Sequence, residues 1–278
     1  MRILVTNDDG IDGPGLHALV GAMCDLDGDH EIIVVAPDRE FSGASASLGA
    51  LHLIEPVVTR ASIPGAAPDE VWTVSGPPGL CVMFARLGSF GDAFDLVVSG
   101  INPGANVGRA VYHSGTVGAC LTGRNSNWSG VAVSQAVAGY GIEGQAWDEV
   151  VKTLDWSVPA TIAQAYVQAL VDDLPSECII TNLNVPHRPL DEIRGWKHTA
   201  VGLQPPRALA SANLVQNDDD PDTFRVEMGW GEKLDLDPDT DAGAIDEGWV
   251  SVSHLSRIVH DDRPDLAHAD KALSALLG

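Results

Sequence analysis

The sequence predicts an α/β protein built on a Rossmann-like, doubly wound and mostly parallel sheet. Short apolar runs recur through the first two-thirds of the chain, as in strands that are buried on both faces. Segments with helical periodicity separate these runs, which is the pattern of parallel strands joined by crossover helices. Glycine, asparagine and aspartate concentrate where several runs end, at the edge of the sheet where such folds bind ligands.

The first two-thirds of the chain alternate regularly between strands and helices. Pro37 ends the second strand, and two prolines open the helix at 77–87, where a missing N–H group costs nothing. In chain order the predicted elements are strand 3–6, helix 15–26, strands 31–36 and 71–74, helix 77–87, strand 96–99, helix 116–124, strand 131–134, helices 147–154 and 159–171, and strand 179–184.

The pattern changes after about residue 189. Residues 190–250 are rich in Asp, Gly and Pro, with strand candidates at 223–228 and 249–252, and residues 265–277 form an amphipathic helix. We therefore predict an α/β core at 1–189 and an extension at 190–278 that holds β-hairpin segments and a closing C-terminal helix. Hairpin extensions of this kind often serve oligomer contacts, which we expect here.

Composition excludes several classes of function. The chain carries 39 acidic against 16 basic residues, a formal net charge of −23, which repels nucleic-acid polymers and anionic membranes. No run reaches the roughly 18 apolar residues of a membrane span, and the first residues lack the apolar stretch of a signal peptide. The four cysteines form no CxxC pair and are expected to be buried free thiols. We expect a cytoplasmic protein.

An acidic pair directly follows the first predicted strand, in the sequence Asn7-Asp8-Asp9-Gly10. Adjacent carboxylates repel each other unless a cation neutralises them, and oxygen ligands of this kind suit Mg²⁺ or Mn²⁺. An ordinary turn is the alternative interpretation, because Asn, Asp and Gly all favour turns.

Three further segments at the same edge could bind a cation or an anion. Ser42 and Gly43 follow the second strand and offer a hydroxyl and open backbone N–H groups. Asn102 and Asn106 lie in a glycine-rich loop at 99–108, and asparagine can ligate a metal or donate to phosphate. Residues 114–118 (SGTVG) open a helix, where free amides form an anion site, although plain N-capping by the serine or threonine explains the same residues.

Taken together and in this order, the motifs resemble the SurE family. The resemblance rests on NDDG at 7–10, AP followed by SG at 36–43, SGINPGANVG at 99–108 and SGTVGA at 114–119, and similar stretches follow at 182–186 and 239–252. It implies a divalent-metal-dependent phosphatase, a nucleotidase that hydrolyses nucleoside 5′- and 3′-monophosphates to nucleoside and phosphate.

The resemblance also implies roles for individual residues. It implies one divalent cation per subunit, Mg²⁺ or Mn²⁺, held by Asp8, Asp9, Ser42 and Asn102. It implies a phosphate pocket and a homodimer or homotetramer built partly by exchange of C-terminal elements. The expected phosphate-binding residues are Asn106, Ser114, Gly115 and Thr116, together with Gly43.

Two catalytic routes remain open at the acidic pair. In the first, a cation lowers the pKa of a bound water and Asp9 orients or deprotonates that water. In the second, Asp8 attacks phosphorus directly and forms an aspartyl-phosphate.

Two alternatives belong to other classes of protein. A receiver-type signalling domain also has an acidic pair after its first strand, but the loop at 99–108 lacks an acceptor aspartate and no lysine follows strand 131–134. A non-catalytic Mg²⁺-dependent nucleotide-binding protein would carry the same loops. A dinucleotide-binding Rossmann domain is excluded because GxGxxG is absent from the first turn.

Two acidic segments of the extension are interpreted as solvent-exposed. Asp235, Asp237, Asp239 and Asp241 are spaced as in a calcium loop, but the glycine and glutamate that complete such a loop are missing. Residues 260–262 (HDD) are expected to form a surface turn before the last helix.

Overall fold

The computed structural model describes residues 1–137, 150–204, 209–217, 220–256, 258 and 264–277. The strands of these ranges are β1 (Arg2–Thr6), β2 (Glu31–Pro37), β3 (Val58–Arg60), β4 (Glu70–Val74), β5 (Leu96–Pro103), β6 (Ser129–Gln135), β7 (Ile180–Val185), β8 (Trp196–His198), β9 (Leu209–Asn217), β10 (Asp220–Trp230) and β11 (Val250–His254). The α-helices are α1 (Pro14–Cys24), α2 (Pro78–Arg86), α3 (Gly115–Arg124), α4 (Ser157–Asp172), α5 (Asp241–Asp246) and α6 (Ala267–Leu277).

Nine strands form one mixed, mostly parallel sheet in the order β3-β4-β2-β1-β5-β6-β7-β11-β8. The six central strands, from β4 to β7 in this order, run parallel to one another. Within the described part of this sheet, the antiparallel pairs are β3 against β4 and β11 against β7. The predicted α/β fold with a doubly wound sheet is therefore confirmed.

The sheet reverses its direction of growth between β1 and β5. The chain first adds β2 and β4 on one side of β1, and then returns to add β5, β6 and β7 on the other side. At such a reversal the loops beyond the carboxyl ends of the two strands diverge to opposite faces, which leaves a crevice for ligands. The acidic pair follows β1 and the asparagine-rich loop follows β5, so both border this crevice.

Helices cover both faces of the sheet. Leu16 of α1 and Val167 of α4 belong to one apolar cluster, with the side chains of Ile3 and Val5. Helices α2 and α3 pack on the opposite face, where Leu4 of β1 joins their cluster. The central strands are buried on both faces, which is why they read as uninterrupted apolar runs in the sequence.

Part of the extension completes the sheet and part stands apart from it. Strand β11 pairs with β7, and β8 pairs with β11 at the sheet edge. Strands β9 and β10 form a separate antiparallel hairpin, so the predicted hairpin is present. The division into a core at 1–189 and an extension at 190–278 stays a prediction, as does an oligomer contact through the hairpin.

Some elements differ from the sequence-based expectation. Strand β5 was expected to end at residue 99 but continues to Pro103, because Asn102 still pairs with Ser134 of β6 after a shift in register. Strands β3 and β8 were not predicted, since three mostly exposed residues carry too little periodicity. The predicted helix at 147–154 and the surface turn at 260–262 fall partly or wholly outside the described residues.

The cysteines are free thiols, as predicted, but only two of the four are buried. All four thiols are free, and Cys81 and Cys120 are buried, whereas Cys24 and Cys178 are only half-buried. Burial raises the pKa of the Cys81 and Cys120 thiols well above the ordinary range, so neither is a reactive thiolate. Within the described ranges, no helix combines the length and the apolar character that crossing a bilayer requires.

Candidate active site

The acidic pair lies in a tight turn that continues from β1. The Asn7 side-chain amide donates to the Gly10 carbonyl over 2.8 Å and closes the turn. Gly10 has a φ of +94°, and a Cβ there would lie 2.9 Å from the Arg39 backbone, so the position requires glycine. The turn directs Asp8 inward, where it is only 2% exposed, and leaves Asp9 half-buried. The turn interpretation of this tetrapeptide is therefore confirmed, and its role as a metal site stays a prediction.

The loop after β2 is hydrogen-bonded to the same turn. The Phe41 amide donates to the Asp8 carbonyl over 2.7 Å, and the Ile11 amide donates to the Pro37 carbonyl over 2.9 Å. These two bonds bring the neighbouring Ser42 and Gly43 to the acidic pair. Both residues are exposed, and Gly43 has a φ of +80° with open space where a Cβ would project.

Helix α3 supports this loop from the other side. The Ser45 amide donates to the His113 carbonyl over 3.1 Å. A Cβ at Gly118 of α3 would lie 2.2 Å from the Ser45 carbonyl oxygen, so only glycine lets the loop approach the helix this closely. Gly118, an inconspicuous position in the sequence, thus allows the loop after β2 to lie directly against α3.

Three carboxyl groups crowd this turn. Burial, then the charge of Asp8 and then the charge of Glu40 raise the pKa of Asp9 to about 8. Burial also raises the pKa of Asp8, with a further contribution from Glu40, while hydrogen bonds from Thr116 oppose the increase. The site therefore holds more negative charge than its surroundings stabilise, and a cation would relieve the repulsion.

The start of helix α3 contacts the acidic pair directly. The Thr116 hydroxyl donates to Asp8 Oδ1 over 2.6 Å. A Cβ at Gly115 would lie 2.7 Å from Asp8 Cβ, so the helix approaches the carboxyl as closely as a glycine allows. Ser114 accepts from the Val117 amide and caps the helix. The capping that the sequence left open is present, at a helix N-terminus that faces the candidate cation site.

The asparagine loop after β5 is held by buried polar side chains of the sheet. Asn184 of β7 accepts the Asn106 N–H through Oδ1 over 2.8 Å, and Asn182 donates to the Asn106 carbonyl over 2.8 Å. The Asn106 side-chain amide donates to Ser134 Oγ over 2.9 Å and lies 3.4 Å from Thr116 Oγ1. Asn106 is thus fixed in both backbone and side chain, next to the start of α3.

The oxygen donors at this edge fit a hard divalent cation. No group of three or more His, Cys, Asp or Glu side chains in the described ranges has metal-site geometry, so two carboxyl groups would need amide or hydroxyl oxygens beside them. Asn102 donates its Nδ2 to the Gly104 carbonyl over 2.6 Å, which leaves its side-chain oxygen for another partner. Asn7 Oδ1, next to the pair in sequence, is buried without a hydrogen-bond partner among the described residues.

Most of the sequence-predicted residues therefore meet at one edge of the sheet. Asn102 lies at the end of the neighbouring strand β5, and among the described residues no hydrogen bond joins its side chain to the acidic pair. Direct contacts join Asp8, Thr116 and Asn106, while the loop carrying Ser42 and Gly43 is bonded to the Asp8 backbone. Their individual roles as metal or phosphate ligands stay predictions. Chemically, the arrangement combines a group of carboxyl side chains that a cation would neutralise with a helix N-terminus and amide donors that suit an oxyanion.

Several contributing residues were not identified from the sequence. Glu40 is the third carboxyl group near the turn. Its position two residues before the predicted ligand Ser42 could have indicated that it lies close to the acidic pair. Asn182 and Asn184 hydrogen-bond Asn106 from more than 70 residues away in the sequence. Because they alternate along the buried strand β7, their side chains share one face of the sheet, and this spacing could have identified them.

The interpretation of the acidic segment at 235–241 was wrong for its last member. Asp235, Asp237 and Asp239 are exposed as expected, but Asp241 is fully buried. It opens helix α5, and its two carboxyl oxygens accept backbone N–H groups from three segments, which offsets the cost of burying a polar side chain.

Comparison with known proteins gives consistent matches over most of the chain. The family model described as "Survival protein SurE" matches residues 3–207. The 5′/3′-nucleotidase SurE of Erwinia tasmaniensis is 37% identical over 255 residues, covering 92% of this chain and 90% of the relative. The 5′-nucleotidase SurE of Vibrio cholerae is 35% identical over 260 residues, with 92% and 91% covered. The crystal structure of the SurE protein from Aquifex aeolicus matches with a TM-score of 0.74 at 26% identity, covering 99% of this chain and 100% of that chain.

Proposed function

Because the chain belongs to the SurE family, we propose that it is a divalent-metal-dependent phosphatase that hydrolyses nucleoside 5′- and 3′-monophosphates to nucleoside and phosphate. Relatives at 35–37% identity carry the name 5′-nucleotidase or 5′/3′-nucleotidase. The observation that carries the proposal is the position of the Thr116 hydroxyl. It donates to Asp8 and lies 3.4 Å from the Asn106 amide, so it joins the acidic pocket to the candidate phosphate site.

One divalent cation per subunit, Mg²⁺ or Mn²⁺, would be held by Asp8, Asp9, Ser42 and Asn102. When bound, such a cation supplies charge neutralisation at a phosphoryl oxygen and a water of lowered pKa. The raised pKa values of Asp8 and Asp9 support this assignment, because burial and the neighbouring carboxyl groups disfavour their ionised forms, which a bound cation would stabilise.

The phosphoryl group would bind between the asparagine loop and helix α3. The backbone N–H groups of Gly115 and Thr116 lie in the first turn of α3, where the helix dipole favours an anion. Ser114 keeps that turn in place as the N-cap, and the sheet holds the Asn106 side chain beside it, where its amide would turn from Thr116 toward a bound phosphate. Gly43 would add an open backbone N–H from the facing loop. Donors fixed before the reaction stabilise charge as it develops on the phosphoryl oxygens.

We assign proton transfer from the attacking water to Asp9 rather than nucleophilic attack to Asp8. Asp8 is almost fully buried and accepts hydrogen bonds from both the side chain and the backbone of Thr116, which hold it in one orientation. Asp9 keeps part of its surface in solvent. Acid quenching during turnover tests the assignment, because a phosphorylated Asp8 peptide found by mass spectrometry would establish the aspartyl-phosphate route instead.

Phosphate release from a panel of nucleoside monophosphates and p-nitrophenyl phosphate tests the proposed function. The assay compares Mg²⁺, Mn²⁺ and EDTA, using the unaltered protein, Asp9→Asn and Asp12→Asn. Asp12 is an exposed acid just beyond the same turn, so its substitution makes the matched charge change away from the site. We expect turnover that requires a cation, is lost in Asp9→Asn and is kept in Asp12→Asn.

Two outcomes would count against the proposal. If the protein is folded but releases no phosphate with any metal, the enzymatic function is refuted and a non-catalytic nucleotide-binding role is favoured. An equal loss of phosphate release in Asp9→Asn and Asp12→Asn would show that the reaction does not depend specifically on the acidic pair.

We further propose a homodimer or homotetramer in the cytoplasm. The β9–β10 hairpin supports the assembly, because a lone two-stranded sheet is marginally stable and Leu214, Val226 and Met228 are more than half exposed. The four free thiols support a reducing compartment. Light scattering on the protein and on Val226→Lys tests the assembly, which the added charge should weaken.

A further inference from the structure

Asp241 links three parts of the chain that are distant in sequence. Its Oδ2 accepts the Gly108 N–H over 2.9 Å, across 133 residues. Its Oδ1 accepts the Gly202 N–H over 2.9 Å and the Ala242 N–H over 2.8 Å. The side chain is completely buried, so water does not compete for these bonds and each contributes more than it would at the surface.

Gly108 lies between the two halves of the candidate phosphate site. Asn106 precedes it by two residues, and a 3₁₀ turn (Gly108–Tyr112) leads from it toward Ser114 at the cap of α3. Gly108 has a φ of +54°, so the chain changes direction there. A shift of this residue would move the asparagine loop and the start of α3 relative to each other.

Apolar packing reinforces the same connection. Val107 is buried in a small cluster with Ala242 and Ile245 of α5, separate from the two clusters that flank the sheet. Helix α5 therefore holds the loop at 106–108 both through the Asp241 carboxyl and through the side chain of Val107. Asn106, in contrast, is held from the sheet side by Asn182 and Asn184.

We propose that Asp241 is a positioning residue for phosphate binding, through which the C-terminal extension fixes the spacing between Asn106 and the start of α3. The inference rests on the proposed function. Asp241 does not touch the substrate in this arrangement; it acts through the Gly108 amide. The Gly202 bond ties the same carboxyl to the chain just before the β9–β10 hairpin, so the extension and the phosphate site share one anchor.

The test compares Asp241→Asn with Thr240→Ala. An asparagine keeps the shape of the side chain but replaces one accepting oxygen with an amide nitrogen, so either the Gly108 N–H or the Gly202 and Ala242 N–H groups lose their acceptor and the link between the segments is broken. Thr240 accepts the Gly243 amide and caps the same helix without contacting the loop. Thr240→Ala therefore weakens α5 while leaving the Asp241–Gly108 bond in place.

Three quantities are measured on each variant well below its melting temperature. These are the Kd of inorganic phosphate by calorimetry in the presence of Mn²⁺, the Kd of Mn²⁺ alone, and the hydrogen exchange of residues 104–110. For Asp241→Asn we expect a phosphate Kd raised by about tenfold, an unchanged Mn²⁺ Kd and faster exchange in this segment. For Thr240→Ala we expect a lower melting temperature with an unchanged phosphate Kd.

A purely structural role would lower the melting temperatures of both variants and leave the phosphate Kd of both unaltered, which would overturn the inference. Ile245→Ala, which thins the packing on Val107, replaces Asp241→Asn if that variant does not fold, and the same rise in phosphate Kd is expected from it. Phosphate and Mn²⁺ binding are independent of turnover. Absence of turnover in the unaltered protein would therefore refute the proposed function separately.

Discussion

Replacing Asp9 with asparagine should stabilise the metal-free protein while removing its activity. Asp9 lies beside Asp8 and within the field of Glu40, and burial and these charges raise its pKa to about 8. Asparagine has nearly the same shape and no charge, so the substitution removes the repulsion without leaving a cavity. Sites that bind charged ligands are often destabilising in the empty protein for this reason.

The size of the effect follows from the pKa. A shift from 3.8 to about 8 corresponds to a ceiling of roughly 6 kcal/mol. Asp9 retains solvent contact, which screens the repulsion, so we expect a gain of about 1–3 kcal/mol at pH 8. For a chain of 278 residues the melting temperature would rise by about 2–6 °C.

The pH dependence has a defined sign. An acid whose pKa is raised on folding binds more protons in the folded than in the unfolded state between about pH 4 and pH 8. Stability of the metal-free protein therefore falls as pH rises through this window. The advantage of Asp9→Asn should be small at pH 5 and largest near pH 8.

Scanning calorimetry in EDTA at several pH values between 5 and 8.5 measures this effect. Asp12→Asn serves as the control, since an exposed substitution near the turn should change stability by less than about 0.5 kcal/mol. A melting temperature of Asp9→Asn at or below that of the unaltered protein at pH 8 would refute the reasoning. A gain in melting temperature at pH 5 as large as the gain at pH 8 would also refute it.

Three further predictions concern the neighbourhood of the site. A divalent cation at about 100 times its Kd should stabilise the unaltered protein by about 2.7 kcal/mol in thermal unfolding, and Asp9→Asn should lose this response. Asn184→Leu leaves the buried Asn106 N–H without its acceptor, so chemical denaturation should report a loss of about 1–3 kcal/mol together with a lower kcat/KM. Gly115→Ala places a Cβ 2.7 Å from Asp8 Cβ and should lower kcat/KM at least about tenfold. The control for this last substitution is Gly21→Ala, in open space on α1, which should stabilise the protein by about 0.5–1 kcal/mol with unchanged kinetics.

Local chemistry in the sequence determined the central sheet and the composition of the site loops. Buried parallel strands need apolar side chains on both faces, so β1, β2, β6 and β7 could be located within one or two residues. Glycine, asparagine and aspartate mark strand ends because they adopt the backbone angles of turns. The same reasoning placed Asp8 and Asp9 after the first strand.

Only the tertiary structure decided which distant groups meet. The sequence does not specify that Glu40 acts on Asp9, that Asn184 holds Asn106, or that Asp241 is buried rather than exposed. These relations depend on strand order, which brings β7 and α5 to the loop after β5. An isolated aspartate in an acidic segment has the properties of a solvated side chain. Three backbone N–H groups make its burial favourable, and the two that come from Gly108 and Gly202 reach it only in the folded protein.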